Sequence, residues 1–470
     1  MILPAICALA AISSASAQWR DPEAPSSFDA APAQFQLYKL EAGNAFGAVA
    51  LDGSPAAFYF HEGSSDNWAF YFQGGGWCYE ISDCYGRSQG NLGSSTKLPS
   101  TGEMGGLLSD DCSVSPLCDY NVVWAAYLDG NSFSGMLEGS VNYTTPTGAV
   151  VPLFFRGRHN IDAIVDAVSR NVMNATHLLK DAVNLVETGC SAGGLATYLH
   201  ADYVRDLIPH SGAYYSLPIS GYFLDYPSTY NGSFVYSEQI ASIYAISNAS
   251  TNAACQSAHA ATGDAWRCNM AEYVYPFIES SVFVLNSKYD SWQTQCILTA
   301  MPVPEGSEQN GNCGSAPGWS ACASDPTKCT GQQILHGYLP FGEYFTTSLS
   351  FVNAAKSSAP GNGAFIVSCH THCEAQGGGF DSECRGGGAP HALAAGAHTW
   401  QHTHSSSPLT LLSSPCALCS AFTINGTTMN QAVSNWMQAN AGSQPAPAQD
   451  HTFYDCSYTV DGNHLCNPHC

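Results

Sequence analysis

The chain has 470 residues, 45% of them hydrophobic, and its 37 Asp and Glu against 14 Lys and Arg give a net charge of −23. This length suits one enlarged domain with a large buried core better than several small ones. So acidic a surface repels nucleic acid and anionic membranes, and neither is expected as a partner.

Met1 to Ala17 carries a short apolar core ending in Ala15-Ser16-Ala17, which suits signal-peptide cleavage before Gln18, although no Lys or Arg precedes that core. No later apolar run reaches the length that spans a bilayer, so a soluble, secreted protein is expected. Trp68-Ala69-Phe70-Tyr71-Phe72-Gln73 reads as a strand, and the Gly74-Gly75-Gly76-Trp77-Cys78 run follows it. Three glycines let a backbone approach a reacting group closely, though such a run also serves as a flexible turn. The absence of GK[ST] and GxGxxG patterns argues against a phosphate-cradling loop.

Further on, Ala182-Val183-Asn184-Leu185-Val186 reads as a strand ending at Glu187 and Thr188. Leu195, Tyr198, Leu199, Tyr203 and Leu207 then recur at helical spacing. Between them lies Gly189-Cys190-Ser191-Ala192-Gly193-Gly194. G-x-S-x-G in a strand–turn–helix setting is the nucleophile elbow of α/β-hydrolases, which presents a serine on a sharp turn flanked by residues without bulk. Such a serine needs a base, an acid and oxyanion donors. The expected donors are the N–H groups of Ala192 and, from the glycine loop, Gly76 and Trp77. In this fold the acid and then the histidine follow the serine along the chain. Ser281-Val282-Phe283-Val284-Leu285 is a short apolar strand, followed by Asn286 to Gln293 with Asp290 inside. Ala364-Phe365-Ile366-Val367 is another, followed by Ser368-Cys369-His370-Thr371-His372-Cys373. Residues two apart on a strand face the same way, so geometry leaves His370 and His372 open. Asp225 stands as a second candidate acid. His200 lies nine helical residues past the serine, about 13 Å along the axis, and is set aside.

These residues, taken together, resemble the pectin acetylesterases of plants and the related Notum carboxylesterases. Leu51-Asp52-Gly53-Ser54-Pro55, Gly74 to Cys78, Leu128 to Gly135, Phe155-Arg156-Gly157, the elbow with Asp202 to Asp206, Asn286 to Gln293 and Ser368 to Cys373 match the family's blocks in order, over roughly residues 36 to 440. The resemblance implies an α/β-hydrolase fold with a central, mostly parallel sheet flanked by helices. It implies a triad of Ser191, Asp290 and His372, because the family's histidine directly precedes the cysteine of its block. It also implies ester hydrolysis without metal or cofactor, with an acetylated polysaccharide or other ester as substrate. A Notum-like lipid or protein O-deacylase is the alternative, and a secreted binding protein without catalysis a third reading. The Gly- and His-rich stretch at about 374–408, with His391, His398, His402 and His404, looks like an insertion. The expected organisation is therefore a signal peptide at 1–17, a hydrolase domain at 18–440 and a Cys-containing tail at 441–470, in a monomer.

Twenty cysteines point to an oxidising compartment, either extracellular or the cell wall. Loss of Cys7 leaves an odd number, and Cys190, pointing inward beside the nucleophile, is expected to be the free thiol. Cys78–Cys84 and Cys112–Cys118 are plausible local pairs. Cys416-x-x-Cys419 with nearby histidines suggests zinc, but no second correctly spaced pair accompanies it, so no metal is expected. N-x-[ST] sequons at Asn142, Asn174, Asn231, Asn248 and Asn425 fit a secreted surface.

Overall fold

The most apolar runs of the chain become the centre of a sheet. A computed structural model describes residues 32–302, 313–355, 361–376, 423–441 and 451–455. Its strands are β1 (Ala33–Lys39), β2 (Ala57–His61), β3 (Trp68–Phe72), β4 (Thr101–Met104), β5 (Asn121–Ala125), β6 (Val141–Thr144), β7 (Val150–Leu153), β8 (Leu185–Cys190), β9 (Tyr214–Ile219), β10 (Phe283–Ser287), β11 (Gly363–Val367), β12 (Thr423–Ile424), β13 (Thr427–Thr428) and β14 (His451–Tyr454). Ten of them form one sheet in the order β14-β11-β10-β9-β8-β3-β5-β2-β1-β4, while β6–β7 and β12–β13 are separate two-stranded pairs. From β14 to β5 the neighbours are parallel, and β2, β1 and β4 extend the sheet antiparallel.

Every residue of β3, β8, β10 and β11 is buried, as expected for parallel strands covered on both faces. Alternation divides them between two cores: Phe70, Phe72 and Leu185 face one, while Ala69, Tyr71, Val186 and Cys190 face the other. The Gly157–Ser169 helix buries Ile161, Ile164, Val165 and Val168 against the first core, the spacing of one helical face. On the other side, the Met429–Asn440 helix opens with a Thr428/Gln431 capping box and buries Ala432, Val433, Trp436 and Met437. This is the mostly parallel α/β-hydrolase architecture, with helices on both faces.

Some sequence expectations shift. The strand before the serine begins later than expected and runs to Cys190; Val183 is surface-exposed, whereas Glu187 and Thr188 are wholly buried in it. Glu187 is tolerated there because Tyr214 donates to its carboxyl group at 2.7 Å, and burial pushes the pKa of that carboxyl well above the usual range. The 441–470 stretch, expected to lie beyond the domain, supplies β14, which pairs with β11 as an edge strand of the main sheet. Residues 1–17, most of the 374–408 stretch with its four histidines, and Cys416-x-x-Cys419 lie outside the described residues. No helix among the described residues is long and apolar enough to cross a membrane.

Candidate active site

Strand order fixes where a site can form. From β3 the chain goes on through the edge strand β4 to β5 on one side, and from β8 to β9 on the other. The connections diverge at the carboxyl ends of the adjacent pair β3 and β8, which opens a crevice at the switch point. The Gly74–Cys78 loop leaves β3 there, and Ser191 leaves β8.

Ser191 holds φ 60° and ψ −124°, a conformation strained for any residue with a side chain, between β8 and the Ala192–Leu207 helix. The turn survives because its neighbours lack Cβ atoms. A Cβ on Gly193 would lie 2.0 Å from the Phe72 carbonyl oxygen, and one on Gly194 would lie 2.2 Å from that of Ile219. The Ser191 N–H donates to Ile219 O at 3.0 Å, and its hydroxyl, buried, makes no hydrogen bond within the described residues.

Asp290 ends the turn after β10 as the N-cap of a short helical segment, its Oδ1 accepting the N–H groups of Trp292 and Gln293, both at 3.0 Å. Its other oxygen, Oδ2, meets His372 Nδ1 at 2.7 Å. Asp290 is wholly buried and the His372 side chain is 10% exposed, so the pair is nearly dry yet reachable. The β10 and β11 turns leave the same end of neighbouring strands, and they are cross-tied by Ser291 N–H to Thr371 O at 3.1 Å. His370, two residues earlier, turns away to Thr294 Oγ1 at 3.0 Å, and burial lowers its pKa. Asp225 is engaged elsewhere, by Tyr273 at 2.6 Å and Arg267 at 3.2 Å.

Cys190 is not a free thiol. It forms a disulfide with Cys373, Cα atoms 5.7 Å apart. Its side chain does point inward, as expected, but strand alternation puts it in the same core as Cys373. The bond joins the residue before Ser191 to the residue after His372. Cys369 is disulfide-bonded too, and the expected local pairs Cys78–Cys84 and Cys112–Cys118 are both formed.

On the opposite wall, Gly76 has φ +62° and open space where a Cβ would be. The N–H groups of Gly76, Trp77 and Ala192 have no acceptor among the described residues, and Ala192 opens its helix, where the dipole favours negative charge. Ser132, to which sequence reading gave no role, braces this wall. It accepts from Trp77 Nε1 at 2.8 Å and donates to Ala192 O at 2.7 Å. Asp129 holds its loop by accepting N–H bonds from Asn131, Phe133 and Gly135. The signal available in sequence was the polar turn Asp129-Gly130-Asn131-Ser132. Buried His200 also has a bracing role: Nε2 donates to Ser132 O at 3.1 Å and Nδ1 accepts from Arg158 at 3.2 Å. Burial and Arg158 push its pKa down to about 3, so it stays neutral.

As for metals, Cys255, His259 and Cys268 lie close enough together to share an ion, but the two sulfurs are bonded to each other. All five sequon asparagines, Asn142, Asn174, Asn231, Asn248 and Asn425, are exposed.

A dyad of buried carboxylate and imidazole, a strained serine and three free N–H groups constitute the equipment of acyl transfer. A family model described as Pectinacetylesterase matches residues 29–381. The chain is 31% identical over 341 residues to pectin acetylesterase 7 of Arabidopsis thaliana, covering 71% of this chain and 79% of that protein. It is 32% identical over 336 residues to pectin acetylesterase 5 of the same plant, covering 70% and 71%. With the palmitoleoyl-protein carboxylesterase NOTUM of Mus musculus it shares 28% identity over 273 residues, 54% of this chain and 51% of that one. The solved structure of the Wnt deacylase Notum from Drosophila has a TM-score of 0.59 at 18% identity, covering 89% of this chain and 97% of its own, which shows a shared fold. On the match across residues 29–381, this chain belongs to the pectinacetylesterase family and is a carboxylic ester hydrolase.

Proposed function

We propose that the protein is a secreted serine esterase that removes O-acetyl groups from polysaccharide, with Ser191 as nucleophile, His372 as base and Asp290 as the carboxylate that orients it. The observation that carries this reading is the 2.7 Å contact of Asp290 with His372 Nδ1, tied by the Cys190–Cys373 bond to the strained serine. In the mechanism, His372 Nε2 takes the Ser191 proton as Oγ attacks the ester carbonyl. Asp290 keeps the proton on Nδ1 and stabilises the imidazolium. The N–H groups of Gly76, Trp77 and Ala192 receive the oxyanion. His372 protonates the leaving alkoxide, then activates water to release the acyl group from Ser191. The residues need no metal or cofactor for these steps.

Secretion is supported by the apolar amino terminus, the disulfides and the exposed sequons. Acetyl transfer is supported by the relatives: the pectin acetylesterases match over 70–71% of this chain, NOTUM over 54%. The charge of −23 favours a neutral acetylated glycan over strongly demethylated pectin. Purified protein and its Ser191→Ala variant, assayed on acetyl, butyryl and octanoyl esters of one chromophore, test the proposal. It requires acetate to be preferred and the variant to lose on the order of 10³- to 10⁶-fold in turnover. A preference for octanoate favours a lipid deacylase. Retained activity in a folded variant removes Ser191 from the mechanism.

A further inference from the structure

Four aromatic rings fill the space between the glycine loop, the acid turn and His372. Phe223 lies 5.0 Å from Trp77 and 6.3 Å from the His372 ring, and Tyr236 lies 5.7 Å from Trp77 and 5.9 Å from Phe223. Trp292 joins all of them, edge-on to Phe223 at 5.1 Å, to Trp77 at 5.4 Å and to Tyr236 at 6.0 Å. Trp77, Phe223 and Tyr236 are 3%, 0% and 1% exposed, whereas Trp292 is only partly buried and so is the outermost ring. The residue is anchored beside the acid, because its backbone N–H donates to Asp290 Oδ1 at 3.0 Å.

We infer that Trp292 is the residue that sets acyl length: its indole occupies the volume a longer acyl chain would need beside Ser191 and limits the site to short acyl groups. This rests on the reading of Ser191 as nucleophile. A long chain entering over Trp77 and Phe223 meets the indole edge, and the three rings behind are already close-packed, so there is nowhere for them to retreat. Replacing the indole with a methyl opens space for several methylenes against apolar walls, and each methylene buried there is worth about fourfold in affinity. The backbone N–H that caps Asp290 is kept in any substitution, so the acid–base pair survives the change.

The test measures kcat/KM of wild type, Trp292→Ala and Trp292→Leu on acetyl, butyryl and octanoyl esters of one chromophore, with circular dichroism to confirm folding. An alkyl fluorophosphonate label mapped by mass spectrometry accompanies it. The wild type should prefer acetate, and the octanoate-to-acetate ratio should rise on the order of 100-fold in Trp292→Ala and less in Trp292→Leu. A purely structural role would lower all three esters together, and an unchanged ratio in either folded variant overturns the assignment. A wild type already indifferent to chain length overturns it as well. If the label falls on a residue other than Ser191, the catalytic reading itself has failed, and that outcome is distinct from an unchanged ratio with Ser191 labelled.

Discussion

Replacing both Cys190 and Cys373 with alanine tests the link between nucleophile and base. The bond closes a loop of 183 residues. On the chain-entropy account, closure of that loop restricts the unfolded state by about 18 cal/mol/K, or about 5 kcal/mol at room temperature. Unfolding entropy for a chain of 470 residues is about 1 kcal/mol/K, so the melting temperature should fall by about 5 °C. Activity should fall further than stability explains. With the covalent tie gone, the His372 loop loses its bond to β8 and keeps contacts such as Cys373 N–H to Ser220 Oγ, just past the end of β9, at 3.0 Å. A base displaced by about 1 Å costs on the order of 100-fold in rate. Cys373→Ala alone should behave like the pair. Calorimetry, kinetics on an acetyl ester and non-reducing peptide mapping read the three effects. Finding Cys190 as a free thiol in the mapped wild type rules out the tie, and a double variant with unchanged melting temperature and turnover shows that it holds neither the fold nor the base.

Other perturbations separate the site's parts. His372→Ala should lose ester hydrolysis as severely as Ser191→Ala, whereas His370→Ala, which loses the bonds to Thr294 and to the Ala323 backbone, should lose far less; initial-rate kinetics giving the reverse order moves the base. Asp290→Asn should fold but lose on the order of 10⁴-fold in kcat, because the amide favours the wrong imidazole tautomer, while Asp225→Asn should stay within about tenfold of wild type if it folds. The neutral state of His200 gives a pH signature. Its folded pKa of about 3 lies below the ordinary histidine value of 6.5, so its contribution is complete above pH 6.5 and is lost as pH falls toward 3. Denaturant melts should therefore show about 1.4 kcal/mol lost per pH unit below 6.5 from this group. His200→Gln should remove that part of the slope; an identical slope contradicts the assignment.

The elbow was legible because it is local: strand, glycine-flanked serine and helix are contiguous, and the crowding of Gly193 and Gly194 against Phe72 and Ile219 accounts for the small residues there. The histidine was not settled by local pattern. His370 and His372 share a loop, and only the position of Thr294 and Asp290, which follow β10, separates their partners. Cys190 was misjudged for a similar reason: its inward direction follows from strand alternation, but what it meets comes from a loop 183 residues away. The β14 strand is four residues whose pairing with β11 is visible only in three dimensions. The strand was read as ending at Glu187 and Thr188; that it runs on with Glu187 buried inside it depends on Tyr214 from the next strand. For Ser132 the polar turn Asp129-Gly130-Asn131-Ser132 was the available signal, but its bracing role emerges only when Trp77 and Ala192 are brought against it.

In the proposed mechanism Ser191 attacks the ester and carries the acyl group. The most direct measurement of this step is acid quenching of the enzyme during turnover of an acetyl ester, followed by peptide mass spectrometry of the trapped intermediate. The expected result is an added acetyl group on the peptide containing Ser191, absent from Ser191→Ala and accumulating in a variant whose deacylation is slowed. An acetyl group mapped to another residue, or turnover that persists in Ser191→Ala without any acyl-enzyme, contradicts it.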